Sequence, residues 1–218
     1  MTTEKFADLA TAGVRLAELL RHSVTNETIV LGIATGGVPA AAVVAQELKL
    51  PLDIVLIKRL FAPHGPRFPV CATSVAGGLV LDDFSPHMNE LAAPESFVDF
   101  SLRELARREH SCRGGRQITS IEGKSVILVD NGVHTGSTLS CAIRALRKLN
   151  ALRVITAVPV IATESQPAIE SITDDFIYLA SHENFGHVGL WYSDFTKPAD
   201  EDIRRMLENS IASNASNL

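Results

Sequence analysis

The chain alternates short runs of β-branched and aliphatic residues with segments of helical periodicity along most of its length. The runs show no two-residue alternation of apolar and polar side chains, which is typical of strands buried on both faces of a sheet. The predicted strands are 28–33, 53–58, 125–130, 153–159 and 175–180. The predicted helices are 5–22, 38–48, 96–111, 137–149, 164–172 and 199–211. This order predicts a doubly wound α/β fold, with a mostly parallel five-stranded sheet and helices on both of its faces.

Two long segments interrupt this alternation. The 218 residues suit one domain with an elaboration, and we expect that domain over residues 1–211. Residues 59–95, the flap segment, are rich in Pro and Gly around a hairpin expected at 70–82, and they predict a flexible flap. Residues 181–197, the cap segment, concentrate aromatic side chains among polar neighbours and predict a small C-terminal cap, or hood. Residues 212–218 predict a disordered tail.

Composition excludes several classes of protein. Hydrophobic residues make up 46% of the chain and charged residues 21%, which argues for a soluble globular protein and against wholesale disorder. The net charge of −5 disfavours a general nucleic-acid coat. The widely spaced Cys71, Cys112 and Cys141 predict neither a zinc ribbon nor a disulfide framework. Because no stretch approaches ~20 apolar residues and the first residues lack a continuous apolar core, we expect a cytoplasmic protein with no membrane association.

The strongest local signal is VILVDNGVHTGSTLSCAIRAL, residues 126–146. A buried strand ends at Asp130, a turn of small residues follows, and Thr-Gly-Ser-Thr opens a helix. Glycines let a backbone approach a phosphate closely, and the free amide groups of a helix N-terminus point at it. The hydroxyls of Thr135, Ser137 and Thr138 add neutral donors, while Asp130 can accept hydrogen bonds from sugar hydroxyls. The motif predicts a ribose phosphate site; the alternative is a helix cap with structural glycines.

Topology points to the same place. If the strands follow the common order 2-1-3-4-5, a crevice opens between strands 28–33 and 125–130, where the order reverses. Both glycine-rich loops follow these two strands. The first, residues 34–37 with the sequence Ala-Thr-Gly-Gly, would present backbone amides to a pyrophosphate, while the loop at 131–138 would hold the phosphate of the sugar.

Residues 126–146 resemble the fingerprint of the type I phosphoribosyltransferases: a hydrophobic strand, two adjacent acidic residues, a short turn and Thr-Gly-x-Thr. IVLGIATGGVPAAAVVAQEL is similar to the first, pyrophosphate-contacting loop of that family, in which one peptide bond is often cis. RELARREHSCRGGR and VGLWYSDF are similar to a subgroup of uncharacterised bacterial phosphoribosyltransferases. The resemblance covers roughly residues 28–205.

The resemblance implies transfer of phosphoribose from phosphoribosyl pyrophosphate to a nitrogenous base, with Mg²⁺ as cofactor and a homodimer as the assembly. Asp130 would orient the ribose, and Lys58 and Arg59 would balance the charge of the pyrophosphate. A solvated strand end is the alternative for this pair. The remaining residues expected to bind the donor are Thr35, Gly36, Gly37, Asn131, Gly132, Val133, His134, Thr135, Gly136, Ser137 and Thr138.

Further roles concern the acceptor. His134 stands where purine-specific relatives carry an acid that exchanges a proton with the base, and an imidazole can do related work; an exposed loop histidine is the alternative. In the cap segment, Phe185 or Trp191 would stack on an aromatic acceptor, and Asp194 would accept its hydrogen bonds. Packing in the core is the competing interpretation for Trp191 and for Phe195.

Two residues depart from the family pattern. Asn131 replaces the usual second acid, and Thr35 replaces an Arg that is usual in the similar bacterial subgroup. These changes leave a second hypothesis open, namely a module that binds phosphoribosyl pyrophosphate or a nucleotide without catalysis. A third hypothesis assigns RNA binding to the Arg-rich segment 103–116, but its interleaved glutamates favour a solvated helix face.

Overall fold

A computed structural model describes residues 5–60, 70–75, 78–81, 95–114, 116 and 119–215. Its strands are β1 (Thr28–Ile33), β2 (Leu52–Leu60), β3 (Val70–Val75), β4 (Gly78–Leu81), β5 (Ser125–Val129), β6 (Arg153–Ala162) and β7 (Asp175–His182). Its α-helices are α1 (Leu9–Leu20), α2 (Val38–Leu48), α3 (Glu95–Arg113), α4 (Ser137–Lys148), α5 (Gln166–Glu170) and α6 (Asp200–Ala215).

The strands form one sheet in the order β4-β3-β2-β1-β5-β6-β7. The five strands β2, β1, β5, β6 and β7 are parallel, and their spatial order is 2-1-3-4-5, the order for which a crevice between β1 and β5 is expected. The predicted doubly wound α/β class is therefore confirmed. The sheet has seven strands rather than five, because β3 pairs with β2 and β4 with β3, both antiparallel. Part of the flap segment thus extends the sheet, and residues 61–69, 76–77 and 82–94 of that segment lie outside the described residues.

Helices cover both faces of the sheet, as the unbroken apolar strands require. One core cluster joins the sheet to α1, α2, α3 and α6, and it includes Leu16, Val44, Leu105 and Ile203. The opposite cluster joins the sheet to α4 and α5. A third, smaller cluster packs the start of the chain against the cap segment through Phe6 and other residues.

Several boundaries differ from the sequence prediction. The last helix continues to Ala215, so the first four residues of the predicted tail, 212–215, are helical. Strand β7 ends at His182, and the cap segment then contains a short 3₁₀ helix, Val188–Trp191. Cys141 on α4 is disulfide-bonded, which the sequence analysis did not predict, whereas Cys112 is a free buried thiol. Among the described residues, every helix is too short or too polar to cross a lipid bilayer.

Candidate active site

A cavity of about 360 Å³ opens at the end of β5 where the sheet order reverses. The turn after β5 and the first residues of α4 form most of its wall, with contributions from β2 and the cap segment. The described residues that line it are Arg59, Asp130, Asn131, Gly132, Val133, His134, Thr135, Gly136, Ser137, Thr138, Leu139, Val188 and Lys197. The cavity is therefore lined by every residue of the second predicted phosphate loop, 131–138.

Contacts from three directions fix the turn after β5. The Val133 amide donates to the Val160 carbonyl on β6 at 2.9 Å, and the Ala162 amide donates back to the Val133 carbonyl at 2.8 Å. The buried Tyr192 hydroxyl donates to the Asn131 carbonyl at 2.5 Å. The Ser165 hydroxyl donates to the His134 carbonyl. With these carbonyls engaged in the protein, the turn presents a largely pre-formed surface to a ligand.

Helix α4 begins against this cavity. Its N-cap is Gly136 at φ 75°, a left-handed conformation that glycine adopts without steric penalty. No side chain of the described residues caps the helix. The first helical backbone hydrogen bond runs from Ser140 to the Gly136 carbonyl, so the amides of the preceding residues in the first turn stay available. Half-buried Ser137 and Thr138 add hydroxyls, and this helix start suits a phosphate group.

The loop after β1 lies against the loop after β5. A Cβ placed on the buried Gly36 would overlap the Asn131 side-chain amide, and one on Gly37 would lie 2.5 Å from the Val129 carbonyl oxygen. The chain therefore tolerates only glycine at this close approach. The Ala34–Thr35 peptide bond is cis, as in the family that the sequence resembles. The structure thus brings Gly36 and Gly37 against the end of β5 and Asn131, but Thr35, Gly36 and Gly37 are not among the described residues that line the cavity.

Asp130 is the one carboxylate among the described residues that line the cavity. Burial raises its pKa to about 7, although a hydrogen bond from the Asn131 amide, at 2.8 Å, and the charge of Lys197 both lower it. A carboxyl group titrating near neutral pH is ready to accept hydrogen bonds from hydroxyls of a ligand. Asp130 lies at the end of β5 and close to Gly37 of the first glycine loop, and its role at the ribose stays a prediction.

The structure separates Lys58 from Arg59. Arg59 lines the cavity, but Lys58 does not belong to the described lining. The Lys58 ammonium instead lies 2.5 Å from the Glu104 carboxylate on α3 and 5.6 Å from the centroid of the Phe100 ring. Successive strand residues point to opposite faces of a sheet, so two neighbours cannot both face the same cavity. A direct contact between Lys58 and a ligand in this cavity is therefore not available in this conformation.

The aromatic residues of the cap segment form a continuous series of ring contacts. The exposed His134 ring stacks on Phe185, with centroids 5.7 Å apart, and Phe185 lies 5.8 Å from Trp191. Trp191 stacks on His182 at 3.6 Å and donates a hydrogen bond to the Phe185 carbonyl. Phe185 is only 3% exposed, whereas Trp191 is half-buried. The Phe185 ring is thus covered by its neighbours, and the part of Trp191 that remains accessible is the better candidate for contact with an acceptor.

Asp194 lies outside the cavity that Asp130 lines. Its carboxylate accepts hydrogen bonds from the Thr196 amide at 2.9 Å and hydroxyl at 2.7 Å, and these bonds lower its pKa. Asp194 lines a second cavity of about 510 Å³, between the cap segment and the start of α6.

Sequence reasoning missed Lys197, Val188 and Tyr192. Lys197 ends the predicted cap segment and lines both cavities. Tyr192 holds the Asn131 carbonyl through a contact between residues 61 positions apart. Nothing in the local pattern distinguishes these residues from other polar and apolar residues of an irregular segment, because their roles depend on tertiary contacts.

The oxygen-bearing side chains of this cavity fit a magnesium ion that arrives with a phosphorylated ligand. In the described part of the chain, no group of three His, Cys, Asp or Glu side chains could hold a metal by itself. Mg²⁺ commonly keeps several waters and uses one or two carboxylates together with phosphates of the substrate. Asp130 supplies one carboxylate beside neutral hydroxyls and amides. In such an arrangement, oxygens of the phosphorylated ligand and water would provide most of the atoms that coordinate the ion.

The chain is similar to several known proteins. Residues 7–189 match the phosphoribosyl transferase domain family. The curated relatives in two strains of Mycobacterium tuberculosis, each named "putative phosphoribosyl transferase", are 31% identical over 207 residues. That match covers 94% of this chain and 47% of each relative, so the chain spans about half their length. The crystal structure of TT1426 from Thermus thermophilus is similar with a TM-score of 0.79 and 30% identity, covering 94% of this chain and 98% of that one.

Proposed function

The chain belongs to the phosphoribosyltransferase family, and from that premise we propose that it transfers phosphoribose from phosphoribosyl pyrophosphate to a nitrogenous base or related acceptor. One observation carries the proposal: the loops after β1 and β5 lie against each other, with Asp130 between them and the start of α4 beside them. This arrangement offers a separate set of groups to each part of such a donor.

Each part of the donor has a proposed partner. The 5′-phosphate would bind the first-turn amides of α4 together with the hydroxyls of Thr135, Ser137 and Thr138. The ribose hydroxyls would donate to Asp130, and the Asn131 side chain would add a neutral contact. The diphosphate would extend towards the loop at residues 34–37. Arg59 supplies a cation on the same side of the sheet as this cavity.

The proposed reaction breaks the bond between ribose C1 and a diphosphate oxygen and forms a bond between C1 and an acceptor nitrogen. Pyrophosphate leaves with the electron pair of the broken bond, and positive charge develops on the ribose. Bound Mg²⁺ would neutralise the leaving diphosphate. Ionised Asp130 would hold the ribose and stabilise its developing charge. His134, exposed on the turn, would take the proton that the acceptor nitrogen loses.

For the acceptor, we propose the space next to the cap segment. Trp191 and Asp194 would contact the base, and buried Phe185 would act mainly by supporting the ring of His134. The expected homodimer and cytoplasmic location follow from the family resemblance and from composition, and they stay predictions.

Calorimetric titration with phosphoribosyl pyrophosphate, with and without Mg²⁺, tests the donor site. We expect binding by the wild type and a loss of at least roughly ten-fold in affinity for Asp130→Asn. The matched control is Asp99→Asn, which removes an exposed carboxylate from α3. A panel of nitrogenous bases with a pyrophosphate-release assay then tests turnover. Tight donor binding without release of pyrophosphate by any base would count against the transferase and in favour of a binding module.

A further inference from the structure

Lys197 lies between two cavities: the cavity of about 360 Å³ that Asp130 lines, called the donor cavity, and the larger second cavity. The second cavity, of about 510 Å³, is lined by the starts of α1, α2 and α6 and by part of the cap segment. Within the cap segment, Lys197 lines both the second cavity and the donor cavity. Pro39, two residues after Gly37, also lines the second cavity. Lys197 therefore lines a space that reaches the start of α2, the helix that directly follows the first glycine loop.

The backbone around Lys197 is held in place. The Asp194 amide donates to the Ala7 carbonyl at 2.9 Å, and the Thr196 amide donates to the Asp194 carboxylate. On the other side, the Ala199 amide donates to the Asp202 carboxylate at 3.0 Å. Because both flanks are anchored, the fold fixes the backbone from which the Lys197 side chain extends.

The Lys197 side chain is exposed, and within the described residues its ammonium forms no ion pair. It lies 5.5 Å from the centroid of the Phe195 ring. A cation–π contact at an exposed site contributes only about 0.5–1 kcal/mol, so it holds the ammonium weakly. A charge-assisted hydrogen bond to a phosphate is stronger than this contact and would replace it.

The site otherwise offers little positive charge for a diphosphate. Asn131 and Thr35 bring no charge to the two loops. Among the described residues that line the donor cavity, the lysine and arginine side chains are Lys197 and Arg59. The charge of Lys197 also acts on Asp130, favouring its ionised form. Lys197 thus lines one cavity with Asp130, the carboxylate expected at the ribose, and a second cavity that reaches the helix following the loop expected to hold the diphosphate.

We propose that Lys197 is a diphosphate-binding residue of this site. When the donor enters, the Lys197 ammonium leaves the Phe195 ring and contacts the diphosphate oxygens. This assignment rests on the proposed function for the identity of the donor. The geometry behind it also applies to inorganic pyrophosphate, which lacks the ribose and its 5′-phosphate.

The test is a calorimetric comparison of three ligands at fixed Mg²⁺: phosphoribosyl pyrophosphate, inorganic pyrophosphate and ribose 5-phosphate. Lys197→Met keeps the length of the side chain and removes its charge, and Lys197→Arg restores the charge. The matched control, Lys49→Met, removes a charge at the far end of α2, roughly 16 Å along the helix from its first residue. Thermal melting of each variant verifies that it folds.

We expect Lys197→Met to bind phosphoribosyl pyrophosphate and pyrophosphate roughly ten- to a hundred-fold more weakly, with ribose 5-phosphate changed by less than about two-fold. Lys197→Arg should recover most of the loss. The assignment is overturned if Lys197→Met binds both diphosphates as tightly as Lys49→Met does, or if ribose 5-phosphate weakens equally. Lys197-dependent binding of pyrophosphate without binding of phosphoribosyl pyrophosphate would refute the proposed function and support this assignment. No binding of any ligand by the wild type would refute both.

Discussion

At the scale of single residues, Asp130 is the group whose ionisation connects stability to function. Its pKa near 7 arises because burial disfavours the carboxylate more strongly than the Asn131 amide and the Lys197 charge favour it. The unfolded chain has the ordinary value of 3.8. Between these pH values the folded protein retains a proton that the unfolded chain has lost, so the free energy of unfolding falls as pH rises from about 4 to 7.

Asp130→Asn should therefore stabilise the free protein at pH 8 while it weakens donor binding. The gain is expected to be on the order of 1–3 kcal/mol, or a few degrees in Tm, because the neutral amide removes the buried charge. Near pH 4, where the aspartate is largely protonated, the two proteins should melt at similar temperatures. Calorimetric melting curves at pH 4, 6 and 8 measure this, and a Tm difference independent of pH would contradict the assigned ionisation.

Donor binding by the wild type should show the matching pH dependence. Ribose hydroxyls donate to the ionised carboxylate, so affinity should fall as pH decreases below about 7. Titrations of phosphoribosyl pyrophosphate between pH 5.5 and 8.5 measure the effect. Asp130→Asn is the control, because its residual affinity should lack the component that titrates near pH 7.

Tyr192 offers a second test at this scale. Its buried hydroxyl donates to the Asn131 carbonyl, and burial together with the Asp130 charge raises its pKa above the usual range. Tyr192→Phe leaves that carbonyl without this donor, and we expect a loss of about 1–2 kcal/mol in the free energy of unfolding and weaker donor binding. Tyr178→Phe is the control, because Tyr178 is half-buried and has no side-chain hydrogen bond within the described residues. Urea denaturation and donor titration measure both variants, and equal effects of Tyr192→Phe and Tyr178→Phe would contradict the prediction.

At the scale of elements, the alternation of side chains along β2 decides which cation meets the ligand. Ile54 and Leu56 belong to the core cluster that contains α3, while Val55 and Ile57 pack with the cluster that contains α4. The same alternation sends Lys58 towards Glu104 and Arg59 towards the start of α4. Adjacent positions in one strand therefore have different roles.

Arg59→Met and Lys58→Met form a matched pair for this prediction. We expect Arg59→Met to weaken phosphoribosyl pyrophosphate binding roughly ten-fold, because it removes a cation from the cavity wall. Lys58→Met should change the affinity by less than about two-fold, since its main partner is the half-exposed carboxylate of Glu104 on α3. Titration calorimetry at one ionic strength compares the two, and a larger effect at Lys58 would show that the free conformation changes on binding.

At the scale of the whole molecule, a buried ionic network holds the antiparallel hairpin and α3 to the sheet. Arg113 on α3 binds Asp53 on β2 and, at 2.8 Å, Glu109 one turn earlier. Ser74 on β3 donates to the other oxygen of Glu109. The three charged side chains are all less than 10% exposed. Removing one partner from such a network leaves buried charges without compensation.

Arg113→Met is expected to lower the free energy of unfolding by about 3 kcal/mol or more, since Asp53 and Glu109 would both lose their counter-charge. The control is Arg108→Met, which removes a partly exposed ion pair with Asp200 and should lower the free energy of unfolding by less than about 1 kcal/mol. Urea denaturation at pH 7 measures both. Similar losses for the two variants would show that burial does not control the energetics of these pairs.

The sequence by itself determined the parallel sheet and the positions of both glycine loops, whereas the strand order was taken from the common order of such folds. Continuous apolar runs, turn glycines and the start of α4 are local signals, and each reflects the physics of neighbouring residues. These signals also placed Asp130 at the end of β5. The hairpin as an extension of the sheet did not follow from them, because antiparallel pairing with β2 depends on partners distant in the sequence.

Only the tertiary structure decided which side chains face the donor cavity. The fold places Lys197 beside Asp130, directs Lys58 to α3, and covers Phe185 with the rings of His134 and Trp191. Each of these outcomes depends on contacts between segments that are tens of residues apart. Local periodicity carries no information about such contacts, since the direction of a side chain from an irregular segment is set by whatever packs against it.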